Sequence, residues 1–182
     1  MLYTILFTGH MIDKKGRENT RFAAAKENEV RQEIEKQILK EKEFATHYVK
    51  GIASAACGGD IIFHELCVAL EIPTNIYLAL QEEDFKRASV SFAGKNWEER
   101  FNELVKKIPV NIVEEEENTK ENIWEQTNLW MLEKALENGG ENMSLIALWD
   151  GEKGDGAGGT EHMINIAKEK GARINIIDIK KI

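Results

Sequence analysis

The chain has 182 residues, 42% of them hydrophobic, and a formal net charge of -8 at pH 7. This length and composition can bury a core, which predicts one domain over residues 1–182. The acidic balance disfavours a broad nucleic-acid surface, which needs clustered lysine and arginine. No apolar run approaches the ~20 residues that cross a bilayer, and no basic segment precedes the apolar start. We therefore expect a cytoplasmic protein that does not enter a membrane.

The first elements are read from apolar patterns. Residues 2–8 form an apolar run typical of a strand that is covered on both faces, and Gly9 ends it. Residues 12–24 are polar and irregular. Over residues 25–41, apolar side chains recur every four positions among charged ones, which predicts a helix with one face on the sheet.

The same alternation continues along the chain. Further strands are predicted over residues 47–53, 75–80, 110–113, 143–149 and 174–179. Further helices are predicted over residues 59–71, 96–107, 119–138 and 160–170. Strands and helices that alternate in this way pair in parallel through right-handed crossovers. The predicted fold class is therefore α/β, a doubly wound and mainly parallel sheet, Rossmann-like, with helices on both faces.

Three glycine-containing turns follow predicted strands. They are FTGH at residues 7–10, GIASAACGGD at 51–60 and WDGEKGDGAGGTEH at 149–162. Glycine lets the backbone approach an anion closely, and a following helix offers unpaired N–H groups and a favourable dipole. Ligands of such sheets lie beyond the carboxyl ends of the strands. We therefore expect a nucleotide pocket with phosphate on residues 57–60 and 156–160.

Two other patterns carry less weight. Gly154, Gly156 and Gly159 satisfy GxGxxG, but they follow the fifth predicted strand instead of the first, which disfavours an ordinary Rossmann dehydrogenase. Cys57 and Cys67 have no metal-ligand spacing and are expected to be reduced, buried thiols. Neither a metal nor a cofactor is predicted.

The run GIASAACGGDIIFHELCVAL at residues 51–70 resembles the second glycine motif of the SLOG superfamily, which includes the LOG nucleotide hydrolases and the DNA-processing protein DprA. Gly51, Ala53, Asp60 and His64 stand in places similar to those of the DprA-like motif. FTGH at residues 7–10 resembles the first-strand glycine turn of the same superfamily.

The run GAGGTEHM at residues 156–163 resembles the PGGxGTxxE signature of LOG enzymes, in which glycines hold phosphate and the glutamate acts at the ribose. Met163 stands where that signature has its glutamate. The segments SVSFAGKNWEERF, NLWML and LWDGEKGDGAGGT resemble a bacterial SLOG subgroup joined to signalling or repeat modules. The resemblance implies a domain that senses a nucleotide or an NAD-derived, ADP-ribose-type signal.

The expected ligand contacts lie on the three turns and near them. On the turns they are Gly9, His10, Ser54, Cys57, Gly58, Gly59, Asp60, Asp150, Gly151, Gly156, Gly158, Gly159, Thr160 and Glu161. Arg21 and Arg100 are candidate phosphate partners, because a guanidinium can hold an oxyanion through two bonds. Trp97 is the candidate stacking surface for a base.

Each of these assignments has an ordinary structural alternative. Asp60 can cap its helix, and Ser54 and Thr160 share that ambiguity. His10 can bond to a neighbouring loop, and the two arginines can form surface ion pairs. Trp97 can pack in the core, as large aromatic residues usually do.

Three functions remain open at this stage. The leading one is binding or sensing of a small nucleotide ligand. The second is an N-glycosidase acting on a nucleoside monophosphate, with Glu161 or Asp150 as the acidic residue beside the ribose. The third, a DprA-like nucleic-acid binder or a scaffold, is disfavoured by the acidic charge. A homodimer is expected, because domains of this kind often pair.

Overall fold

The computed structural model describes residues 2–114, 122–152 and 159–182. Its strands are β1 Leu2–Gly9, β2 Tyr48–Ala53, β3 Thr74–Leu78, β4 Val110–Ile112, β5 Met143–Trp149 and β6 Arg173–Asp178. Its α-helices are α1 Glu27–Phe44, α2 Gly59–Ala69, α3 Glu82–Ser89, α4 Lys95–Lys107, α5 Ile123–Leu136 and α6 Thr160–Glu169. The described helices include none with the length and apolarity that a membrane span requires.

The strands form one six-stranded sheet in the order β4-β3-β2-β1-β5-β6. Every neighbouring pair is parallel. The chain moves outward from β1 to β4, then returns past β1 to form β5 and β6, so the strand order reverses between β1 and β5. The predicted doubly wound fold is confirmed, and a reversal of this kind is where such sheets bind ligands.

Helices cover both faces of the sheet. On one face α1, α2 and α4 pack on a core that includes Ile5 and Phe7 of β1. On the other face α5 and α6 pack on a second core that includes Leu6 of β1. Successive strand side chains point to opposite faces, so β1 is buried on both sides. This explains why its sequence is a continuous apolar run.

The structure adds an element that the sequence did not predict. Helix α3 buries Phe85 and Ser89, and all its other residues except Ala88 are charged, so its apolar stripe is too short to produce a periodic signal. At α5, the Asn122 side chain accepts a hydrogen bond from the Glu125 amide at 3.0 Å and caps the helix. The predicted start of that helix at residues 119–121 lies outside the described residues.

A buried carboxylate lies near the amino-terminal ends of β1 and β6. Glu41, near the end of α1, is fully buried. It accepts hydrogen bonds from the Tyr3 hydroxyl at 2.7 Å, from Arg173 Nε at 3.0 Å and from Asn175 Nδ2 at 3.0 Å. Burial raises the pKa of Glu41, but these hydrogen bonds outweigh it and hold the pKa below its ordinary value. The cluster ties α1 to β1 and β6.

Candidate functional site

A cleft of about 380 Å³ lies at the carboxyl ends of β1 and β2, beside the start of α6. Five residues predicted from the sequence line it: Gly9, Ser54, Asp60, Gly159 and Thr160. The three glycine-containing turns therefore meet at one cavity, at the reversal of strand order. Its volume falls within the range of small-molecule sites, roughly 300 to 1,000 Å³.

One wall of the cleft is apolar and aromatic. Phe7, Phe85, Trp124 and Met131 line it. The rings of Phe85 and Trp124 lie 5.8 Å apart between centroids, and Trp124 is 40% exposed. The two ring planes are tilted by 48° and Phe85 is only 1% exposed, so the aromatic surface open to a ligand is that of Trp124. Sequence reasoning favoured Trp97 over Trp124 as the stacking surface, and it did not predict α3, which carries Phe85.

Asp60 places a carboxyl group in this largely apolar cleft. It is 8% exposed, and its Oδ2 accepts a hydrogen bond from the Ala56 amide at 3.2 Å. Burial raises the pKa of Asp60 to about 7, although the Ala56 bond acts in the opposite direction. The group therefore exchanges between its neutral and charged forms near neutral pH, and it can donate or accept a hydrogen bond. Its bond closes the preceding loop and does not cap α2.

His64 supports the loop from beneath. Its Nε2 lies 2.8 Å from the Ser54 carbonyl oxygen and its Nδ1 lies 2.9 Å from Thr74 Oγ1. A carbonyl can only accept, so Nε2–H donates to it and Nδ1 accepts from the threonine hydroxyl. Burial lowers the pKa of His64 to about 4, and the ring is neutral at pH 7. This histidine of the glycine motif therefore holds Ser54 at the cleft.

The glycines of the second turn are required by close packing of two loops. Gly58 has φ +111°, and a methyl group there would lie 2.7 Å from the Ile12 backbone nitrogen. The Ile12 amide donates to the Cys57 carbonyl at 3.1 Å, and the Gly59 amide donates to the His10 carbonyl at 3.2 Å. The Cys57 amide donates to Ser89. Two amides that were expected to face a phosphate are thus engaged within the protein.

Cys57 itself is fully buried, and burial raises the pKa of its thiol to about 12. Gly9 packs equally closely, because a methyl group there would lie 2.6 Å from Leu148 Cβ. The predicted contacts Gly156 and Gly158 lie outside the described residues. Of the described residues in the predicted phosphate cradle, Asp60 and the amino-terminal end of α6, at Gly159 and Thr160, line the cleft.

His10, Arg21 and Asp150 come together beside the cleft. Asp150 Oδ1 lies 3.2 Å from His10 Nε2, and Oδ2 lies 3.3 Å from Arg21 Nε. Burial lowers the pKa of His10, and the attraction of Asp150 does not reverse this. The pKa of Asp150 is held below its ordinary value, because the Glu152 amide, His10 and Arg21 outweigh the effect of burial. Asp150 is therefore ionised and joins two loops.

Arg100 and Trp97 lie elsewhere, on α4. Arg100 pairs with Glu65 at 2.6 Å and with Glu27 at 2.7 Å, and its guanidinium lies 3.8 Å from the centre of the Trp97 ring. Trp97 is 5% exposed and belongs to the core. Neither residue lines the cleft in the described structure. The ion-pair and core alternatives therefore describe them.

Glu161 and Gly151 complete the predicted set. Glu161 lies in the first turn of α6 beside Thr160, and Gly151 follows Asp150 with φ +78°. Neither is among the described residues that line the cleft. Among the described residues, the carboxyl group that lines the cleft is that of Asp60, which the sequence presented as a ligand contact or a helix cap. The structure thus moves the acidic group of interest from the third turn to the second.

Fold and cleft together define a parallel α/β domain with a ligand-sized cavity at its strand ends. Across residues 2–114, 122–152 and 159–182, no three histidine, cysteine, aspartate or glutamate side chains are placed to hold a metal ion. Comparisons with known protein families, with curated proteins and with solved structures find no match to the chain.

Proposed function

We propose that the protein binds a nucleotide or an ADP-ribose-type ligand in this cleft. The observation that carries the proposal is the meeting of Ser54, Asp60 and Thr160 with an aromatic wall, at the point where the strand order reverses. A mostly apolar cavity with a few converging polar groups is the usual form of a small-molecule site. The SLOG-like sequence motifs favour the same class of ligand and a sensing role.

Each part of the cleft suits one part of such a ligand. The base would lie against the exposed ring of Trp124, which Phe85 supports from behind. Ribose hydroxyl groups would bond to Asp60 and Ser54. The first phosphate would lie at Thr160, where the hydroxyl and the first amides of α6 favour an anion.

Calorimetric titration with adenosine, AMP, ADP, NAD and ADP-ribose tests this proposal. We expect binding of at least one of them below about 1 mM, with quenching of the Trp124 fluorescence. Trp124→Phe should remove most of the quenching and retain binding, because phenylalanine keeps an aromatic surface. Failure of all these compounds to bind at millimolar concentration would contradict the proposal.

A second function is favoured by one observation, the carboxyl group of Asp60 in the cleft with its pKa near 7. Such a group can protonate a leaving base while water adds to the ribose, which would convert AMP and water into adenine and ribose 5-phosphate. Release of free adenine that is lost in Asp60→Asn and kept in Glu161→Gln would establish this activity. AMP that stays bound and intact for hours would exclude it.

A further inference from the structure

A second cavity, of about 410 Å³, lies next to the cleft, and Met11 lines both. We call it the basic pocket. Its lining residues are His10, Met11, Ile12, Lys14, Lys15, Gly16, Arg17, Arg21 and Phe92. Of these described residues four are lysine or arginine and none is acidic. This reverses the local charge in a chain whose net charge is -8.

The loop that carries these cations is closed at its base. The Asp13 amide donates to the Phe22 carbonyl at 2.9 Å, and Asp13 Oδ2 accepts from the Arg21 amide at 2.9 Å. Phe22 is fully buried, and Ile12 is bonded to Cys57 of the second turn. Residues 14–20 are therefore anchored on both sides, beside the end of β1.

The positive charges in the basic pocket are only partly neutralised. Arg21 pairs with Asp150 at 3.3 Å, and Arg17 lies 3.5 Å from Asp13. Within the part of the chain that the structure describes, no carboxylate pairs with Lys14 or Lys15. The Lys14 ammonium lies 5.0 Å from the centre of the Phe92 ring. Two lysines thus face a cavity whose described lining offers them no counter-charge.

We infer that the basic pocket binds the outer phosphate of the ligand whose base lies in the cleft, so that the ligand is a nucleoside diphosphate or a derivative of one. This inference rests on the proposed function. Lysine and arginine are the usual partners of phosphate oxygens. A single phosphate at Thr160 would use the cleft alone, whereas a second phosphate would enter the basic pocket beside Met11, which lines both cavities.

The test compares AMP, ADP and inorganic pyrophosphate on three proteins: wild type, the double variant Lys14→Gln/Lys15→Gln and the control Lys106→Gln/Lys107→Gln. The control removes the same charge from two adjacent exposed lysines at the end of α4. We expect ADP to bind wild type at least about tenfold more tightly than AMP, since charged hydrogen bonds are strong enough for this.

In Lys14→Gln/Lys15→Gln the advantage of ADP should disappear, pyrophosphate should bind about tenfold more weakly, and AMP should be unaffected. The control should behave as wild type. Equal affinity of wild type for AMP and ADP would overturn the inference, and so would an ADP advantage that survives in the double variant. Unchanged thermal unfolding in both variants shows that they are folded.

Pyrophosphate separates this inference from the proposed function. Binding of pyrophosphate that depends on Lys14 and Lys15, without binding of any nucleotide, would refute the nucleotide cleft and the diphosphate ligand, and would leave only an anion site. Binding of AMP without any gain from the second phosphate would uphold the cleft and refute the role of the basic pocket. Absence of binding by all three probes would refute both.

Discussion

Met11 and Gly58 form an antiparallel bridge that joins the loop after β1 to the turn before α2. The bridge lies between the cleft and the basic pocket, because Met11 lines both cavities and Gly58 begins the turn that leads to Asp60. The position of Asp60 in the cleft therefore depends on a contact between two loops.

Gly58→Ala should destabilise the protein by roughly 2 to 4 kcal/mol, because it combines a positive φ with a methyl group 2.7 Å from a backbone nitrogen. Gly16→Ala is the matched control. Gly16 has φ +84° with open space around it, so it carries only the backbone cost of about 1 kcal/mol. Urea unfolding measures both. Equal losses in the two variants would show that loop packing does not constrain Gly58.

Asp60→Asn should alter the dependence of stability on pH. The folded pKa of Asp60, about 7, is above its ordinary value of 3.8. Its contribution to stability is therefore complete below the ordinary value and is lost as pH rises through 7. At pH 8 the variant should be more stable than wild type by roughly 1 to 3 kcal/mol. At pH 5 this advantage over wild type should be smaller.

Unfolding of Asp60→Asn and wild type at pH 5 and pH 8 checks this, and the difference between the proteins isolates Asp60 from the other titrating groups. Asp84→Asn, at an exposed site on α3, should show no such trend. A variant that stays less stable than wild type at pH 8 would refute a raised pKa at Asp60.

His64→Ala should cost about 2 to 4 kcal/mol, because it leaves the buried Thr74 hydroxyl and the Ser54 carbonyl without partners and opens a cavity. Thr74→Val removes one of the two bonds and should cost about 1 to 2 kcal/mol. If Ser54 is held by His64, nucleotide affinity should fall more in His64→Ala than in Thr74→Val. Denaturant unfolding and calorimetry separate the two effects.

Glu41→Gln should destabilise the sheet by about 2 to 4 kcal/mol, because it removes the charge that pairs with Arg173 in a buried position. The pKa of Glu41 is below its ordinary value of 4.5, so its stabilising contribution is complete above that value and is lost as pH falls through the folded pKa. The loss measured at pH 7 should therefore shrink on acidification.

Glu43→Gln, two residues along at an exposed position of α1, is the matched control and should change the free energy of unfolding by less than about 0.5 kcal/mol. Nucleotide binding should be unaffected in both variants, since Glu41 lies near the amino-terminal ends of the strands and the cleft lies at their carboxyl ends. A similar loss in both variants would indicate a general charge effect.

The strand and helix pattern was readable because burial on two faces makes continuous apolar runs and burial on one face makes a periodic stripe. Among the described α-helices, α3 was not predicted, because Phe85 is its single buried large apolar residue. The second glycine turn was readable because few residues other than glycine tolerate the positive φ of Gly58.

The chemical state of the polar side chains followed from partners distant in sequence. Asp150 pairs with His10 and Arg21, and Arg100 pairs with Glu65 and Glu27. None of these contacts has a local sequence signal.

Apolar patterns and glycine turns, each set within a few residues, were enough to predict a parallel sheet with its turns at the carboxyl ends of the strands. Whether a carboxyl group at those ends faces a cavity, as Asp60 does, or is ionised and paired with side chains of another loop, as Asp150 is, depends on how separate segments pack. Burial and charge pairing act through space, so that distinction first exists in the folded chain.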